Sequence, residues 1–117
     1  MPAHYLYDSR GTHIANVVTG QLHSITGHNI GHPAPSGKFF MDMQGRYLGE
    51  IVHGNRFLDN LHSPYQGVDY GVYGDYGFVG DYGNPGDIGS MQLSSGYRDI
   101  PREKLGLKPQ RAGNQRW

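Results

Sequence analysis

Leu6-Tyr7-Asp8-Ser9-Arg10-Gly11-Thr12-His13-Ile14-Ala15-Asn16-Val17-Val18-Thr19-Gly20 reads as strand, turn, returning strand and second turn. Tyr5-Leu6-Tyr7 is aromatic and branched enough for a strand, and Asp8–Gly11 has turn chemistry. An Asp can hydrogen-bond nearby backbone, and a Gly adopts positive φ without steric cost. The stretch recurs 34 residues downstream. Asp8 matches Asp42, Gly11 matches Gly45, Val18 matches Val52 and Gly20 matches Gly54. Conservative pairs fill the gaps: Leu6 with Phe40, Ile14 with Leu48, Ala15 with Gly49, Val17 with Ile51. Short strands joined by glycine-containing turns indicate antiparallel hairpins.

A shorter pattern, Gly-x-x-apolar-small, lies inside that period. It occurs as Gly11–Ala15, Gly27–Gly31, Gly45–Gly49 and Gly67–Gly71, which predicts four hairpin-sized units. Between the two long copies, His32-Pro33-Ala34-Pro35-Ser36-Gly37 is a loop whose prolines keep it out of a central strand. Helix is confined to one turn after Asp99, with Pro101 at its start and Gly106 beyond its end.

The Gly/Tyr-rich segment at 64–91 carries a stricter beat. Glycine occupies every third position from Gly71 to Gly89, over a six-residue beat of Asp69-Tyr70-Gly71, Asp75-Tyr76-Gly77, Asp81-Tyr82-Gly83 and Asp87-Ile88-Gly89. Two extended conformations fit. A polyproline-type helix has three residues per turn and would align all the glycines on one edge. A β-strand would instead place Tyr70, Val72, Tyr76, Phe78 and Tyr82 on one face, because six is divisible by two.

These features together resemble the four-fold β-flower domain family, small bacterial proteins built from pseudo-symmetric hairpins set as petals of a shallow barrel. The stretches that carry the resemblance are Leu6–Val18, Gly27–Gly31, Met41–Val52 and Tyr65–Gly89. It implies an all-β fold and no particular reaction, and it supplies structural positions only. The proline loop and the basic C-terminal residues fall outside it.

Composition narrows the classes. At 117 residues the chain has room for one modest core. The reading is a single hairpin-repeat domain over 1–98 followed by a basic, mobile tail over 99–117. Residues 1–98 hold five basic and eight acidic side chains, and residues 99–117 hold five basic and two acidic, so a neutral total conceals −3 and +3. There is no cysteine, which excludes disulfides and thiolate chemistry. No secretory leader is expected from Met1-Pro2-Ala3-His4, and no apolar run is long enough for a membrane span, so the expectation is a cytoplasmic protein.

Candidate chemistry is sparse. Nucleophile-elbow, phosphate-loop and zinc-protease motifs are missing, so no catalytic residue is assigned and no cofactor is expected. Seven histidines invite a metal site. His28 and His32, four apart on a non-helical stretch, are too distant to share an ion. A site would need histidines from different hairpins, such as His13, His23, His53 or His62. Asp69, Asp75, Asp81 and Asp87 suggest a calcium ladder, although their recurrence has a simpler structural reading, as does that of Asp8 and Asp42 at equivalent turns. Tyr70, Tyr73, Tyr76 and Tyr82 are the candidate binding residues. As a stacking platform for single strands they lack a basic groove, since residues 64–98 contain one Arg and four Asp. The reading that results is a non-enzymatic module that binds a small molecule or protein, or self-associates through bare glycine edges. A histidine metal protein or small enzyme, and single-stranded nucleic-acid binding, are the alternatives.

Overall fold

The computed structural model describes residues 3–107. Eight strands follow in chain order: β1 His4–Tyr7, β2 His13–Val18, β3 Gln21–His23, β4 Asn29–Pro33, β5 Phe40–Asp42, β6 Tyr47–Val52, β7 Arg56–Asn60 and β8 Tyr97–Asp99. Each pairs antiparallel with the next, as the alternation of apolar runs and glycine turns predicts. A meander of seven such strands begins and ends in the same direction, so closure must be parallel. Tyr7 faces Arg56 across that seam, and the Tyr7 amide donates to the Asn55 carbonyl at 2.9 Å. The result is a closed seven-stranded barrel with β8 added beside β7.

Three turns share one construction. In Asp8–Thr12, Ser24–His28 and Asp42–Arg46 the first residue exchanges backbone hydrogen bonds with the fourth and fifth. Its side-chain oxygen also accepts from a downstream amide: Arg10 and Thr12 onto Asp8, His28 onto Ser24, Gln44 and Arg46 onto Asp42. Each turn joins strands whose register shifts at the same place, opposite the step from Leu6 to Tyr7, Leu22 to His23, and Phe40 to Met41. These bulges give the Gly-x-x-apolar-small pattern its meaning. The apolar residue (Ile14, Ile30 or Leu48) is the extra one that turns into the core, and its small neighbour lies where strands crowd. A Cβ on Gly31 would come within 2.6 Å of the Met41 carbonyl oxygen, and one on Gly49 within 2.9 Å of the Leu58 oxygen.

The fourth copy, Gly67–Gly71, is not a hairpin. β7 and β8 pair directly, with residues 61–96 inserted between them, so the repeat yields three such turns rather than four. The C-terminal boundary also moves. The predicted turn of helix forms at Arg102–Leu105, following Pro101 and ending at Gly106 with φ 73°. Ile100 and Leu105 are buried among Leu6, Ile14, Leu22, Leu48 and Phe57, so residues 99–107 belong to the folded body. The remainder of the expected tail, 108–117, lies outside the described residues. A second cluster of Ala34, Phe39, Met41 and Tyr47 is covered by Tyr65 and Tyr70 of the insertion.

Residues 71–89 form neither a strand nor a polyproline helix. Gly71, Gly77, Gly80, Gly83 and Gly86 have φ between 83° and 95°, whereas a threefold extended helix needs φ near −75° throughout. The segment is a strap over the three turns. The amides of Tyr70, Val79 and Ile88 donate to the carbonyls of Gly45, Gly27 and Gly11 at 2.8, 2.8 and 2.9 Å. The docked residues are nine apart, and they meet the turns in reverse chain order. Backbone lies on backbone at each hook, so a Cβ on Gly11, Gly27 or Gly45 would collide with the carbonyl of Ile88, Gly80 or Gly71. The six-residue beat has a separate cause. Asp69, Asp75 and Asp81 each accept from the glycine amide two residues on, at 2.8, 2.7 and 2.6 Å. Local turns every six residues and hooks every nine share the divisor three, which is the glycine spacing.

Candidate functional site

Strand alternation sends Leu6, Ile14, Leu22, Phe40, Leu48 and Phe57 into the main core. The opposite face of β2–β4 carries polar groups buried as deeply: Asn16, His23 and His32 are each 2% exposed or less. Asn16 and His23 are direct cross-strand partners, which places their side chains next to each other. Each of the three residues has one polar atom satisfied. Asn16 Oδ1 lies 2.6 Å from His13 Nε2, His23 Nδ1 is 3.1 Å from the Gln21 carbonyl, and His32 Nδ1 is 2.6 Å from Gln21 Oε1. Each also has a buried nitrogen without a partner among the described residues: Asn16 Nδ2, His23 Nε2 and His32 Nε2. Buried polar atoms are paired in the great majority of cases, so three on one face call for an explanation.

The strap covers this face. The Tyr73 ring stacks on His32 at 5.4 Å between centroids, and Tyr76 meets it edge-on at 5.3 Å. The Tyr76 amide donates to Asn29 Oδ1 at 2.9 Å. Burial lowers the His32 pKa from its usual 6.5, and the Asp75 carboxylate partly offsets this, so near neutral pH the ring is uncharged. A cavity of about 300 Å³ opens between strap and barrel, lined by Val18, Thr19, Gln21, His23, Tyr76 and Val79. Mostly apolar walls with a few converging polar groups are the usual make-up of a small-ligand site. One wall is strained: Thr19, a β-branched residue, has φ 54°.

Of the four candidate tyrosines, Tyr73 and Tyr76 come together over His32. Tyr70 packs on Phe39 instead, and the Tyr82 carbonyl accepts a hydrogen bond from the Tyr5 hydroxyl at 3.0 Å. Tyr76 is 61% exposed, whereas Tyr70 is partly buried against the second core cluster. A histidine metal site would need these side chains to gather, and they do so only in part. His13 and His23 share the polar face through Asn16, while the His62 ring lies over Gly96, and His53 lines a separate cavity with Met91 and Tyr97. Among the described residues no three His, Asp or Glu side chains converge to hold an ion. The Asp69, Asp75 and Asp81 carboxylates are already engaged with glycine amides. A second cavity, of about 260 Å³, includes Thr12, His13, Asp81, Asn84 and Asp87, and the one buried histidine it reaches is already paired with Asn16.

Gln21 and Asn16 had no signal in the sequence, since uncharged amides on short strands look like surface residues. His32 could have been found through Gln21, but only once the pairing of β3 and β4 was known. No helix among the described residues is long and apolar enough to cross a membrane. Comparison with family models, curated proteins and solved structures returns no match to this chain.

Proposed function

We propose that the protein is a non-enzymatic binding module that takes a small molecule between the polar face of β2–β4 and the strap. The observation that carries this reading is the set of three unpartnered buried nitrogens on one face of β2–β4, with His32 beneath Tyr73 and Tyr76 and His23 lining the cavity with Tyr76. Long segments without secondary structure inside a compact domain commonly serve as lids or binding loops. This one is held mainly by single backbone hydrogen bonds, each worth about 0.5–1.5 kcal/mol net, so its central part can lift without unfolding the barrel. Membership of the four-fold β-flower family is part of the same proposal; the three equivalent turns support it and the copy at Gly67–Gly71 does not.

The test is a fragment screen followed through backbone amide resonances. Binders should shift Val18–His23 together with Tyr76–Val79. A screen in which those resonances never move together would refute the reading.

Exposed apolar side chains favour a second reading, in which the strap joins two copies of the chain. Val72, Phe78 and Tyr76 are 75%, 65% and 61% exposed on one short stretch. Sedimentation equilibrium would then show a dimer that Phe78→Ser weakens, and a concentration-independent monomer would dismiss it.

A further inference from the structure

The unpartnered nitrogens differ in hydrogen-bonding sense, and the difference selects a ligand chemistry. His23 Nδ1 faces a backbone carbonyl, which can only accept, so the proton of the neutral ring sits on Nδ1 and Nε2 presents a lone pair. Asn16 Oδ1 is engaged by His13, which leaves the Asn16 Nδ2 hydrogens as donors. Asn16 and His23 are adjacent across the β2–β3 ladder. An acceptor and a donor therefore project from directly paired residues whose Cβ atoms are about 4.5–5.5 Å apart. Their complement is an N–H next to a C=O on one rigid edge.

From this we propose that the site recognises a planar, uncharged cyclic amide, whose N–H donates to His23 Nε2 and whose neighbouring carbonyl accepts from Asn16 Nδ2. Other features agree. Tyr76 lines the cavity and brings an aromatic ring to a flat ligand. Val18 and Val79 supply apolar walls. No carboxylate or cationic amine lines this cavity, so nothing in it favours a charged molecule. His32 Nε2 provides a further acceptor when its Nδ1 proton is held by Gln21 Oε1, which suits an imide with a second donor. All three nitrogens are shut off from solvent, and of the three residues only His23 lines the cavity, so reaching Asn16 and His32 requires the Tyr73–Val79 part of the strap to lift. The inference rests on the binding reading above and adds the ligand class.

The experiment titrates the full-length, isotope-labelled chain with three probes: uracil, 1,3-dimethyluracil and toluene. Backbone amides and the ring nitrogens of His23 are followed by NMR. Uracil should shift His23 Nε2 and the Asn16 side-chain amide, and its N-methylated analogue should bind at least about tenfold more weakly, because it lacks both donors. Equal binding of uracil and dimethyluracil, or binding of toluene alone at Val18–His23, would overturn cyclic-amide recognition and leave the binding cavity standing. Failure of every probe to move those residues would remove the inference, and failure of the wider screen would then remove the cavity reading as well. His23→Phe keeps an aromatic ring, removes both nitrogens and serves as the control. It should abolish the uracil response and preserve the dispersed amide spectrum of the barrel.

Discussion

His32 shows how one sealed ring sets a pH response. It lies under Tyr73 and Tyr76 with Nδ1 on Gln21, and desolvation lowers its pKa while Asp75 pulls it partly back up. Well above pH 6.5 the ring is neutral in both folded and unfolded chains and adds no pH dependence. As the pH falls below 6.5, the unfolded chain takes up a proton that the folded ring resists, so stability drops until the folded ring also titrates. His32→Phe keeps a ring against the tyrosines and removes the titration. Urea denaturation between pH 7.5 and 5 should therefore give a shallower acid loss for the variant. Parallel curves would mean that His32 is not desolvated in solution. Nothing along the chain signals this, because His32 precedes Pro33 in what reads as a loop, and only the Gln21 pairing draws it under the strap.

At the scale of elements, the strap and the hairpins were legible to different depths. The Asp8 and Asp42 turns were readable because an Asx side chain and a downstream glycine define a turn within four residues, so no distant partner is needed. The strap's conformation was not readable, because period three is common to polyproline geometry and to this alternation of Asx turns with barrel hooks. Only the positive φ values separate them. The copy at Gly67–Gly71 misled for a related reason: Tyr70 and Gly71 fit the pattern as the strap's first hook onto Gly45, not as a petal. A paired substitution tests the hook. Gly27→Ala puts a methyl group on the Gly80 backbone, whereas Gly80→Ala meets no atom within 4 Å and carries only left-handed strain of about 1–2 kcal/mol. Hydrogen exchange should show the Val79 amide losing protection in Gly27→Ala and keeping most of it in Gly80→Ala. Equal loss in both would mean that backbone strain, not close approach, governs the hook.

For the molecule as a whole, the seam that closes the barrel and the end of the strap share one side chain. Arg56 pairs with Tyr7 across the parallel junction, and its guanidinium donates to the carbonyls of Asp8 and Gly89 at 3.0 and 2.6 Å. Hydrogen bonds from a charged donor are stronger than neutral ones, and here they tie the first strand's turn, the seventh strand and the strap's exit together. Beside them the Met91 amide donates to the Ser9 carbonyl, and Asp99 accepts from the Ser9 amide and hydroxyl at 2.8 and 2.7 Å, bringing β8 to the same turn. Arg56→Met retains the stem and deletes the charged donors, so it should cost about 1.5–3 kcal/mol in a denaturant titration. Because the contacts meet at one residue, the amides of Tyr7, Ile88 and Met91 should lose exchange protection together, while Tyr70 at the far hook keeps its own. If Ile88 and Met91 loosened and Tyr7 stayed protected, the seam would be self-sufficient, and the strap could open along its whole length without disturbing the barrel.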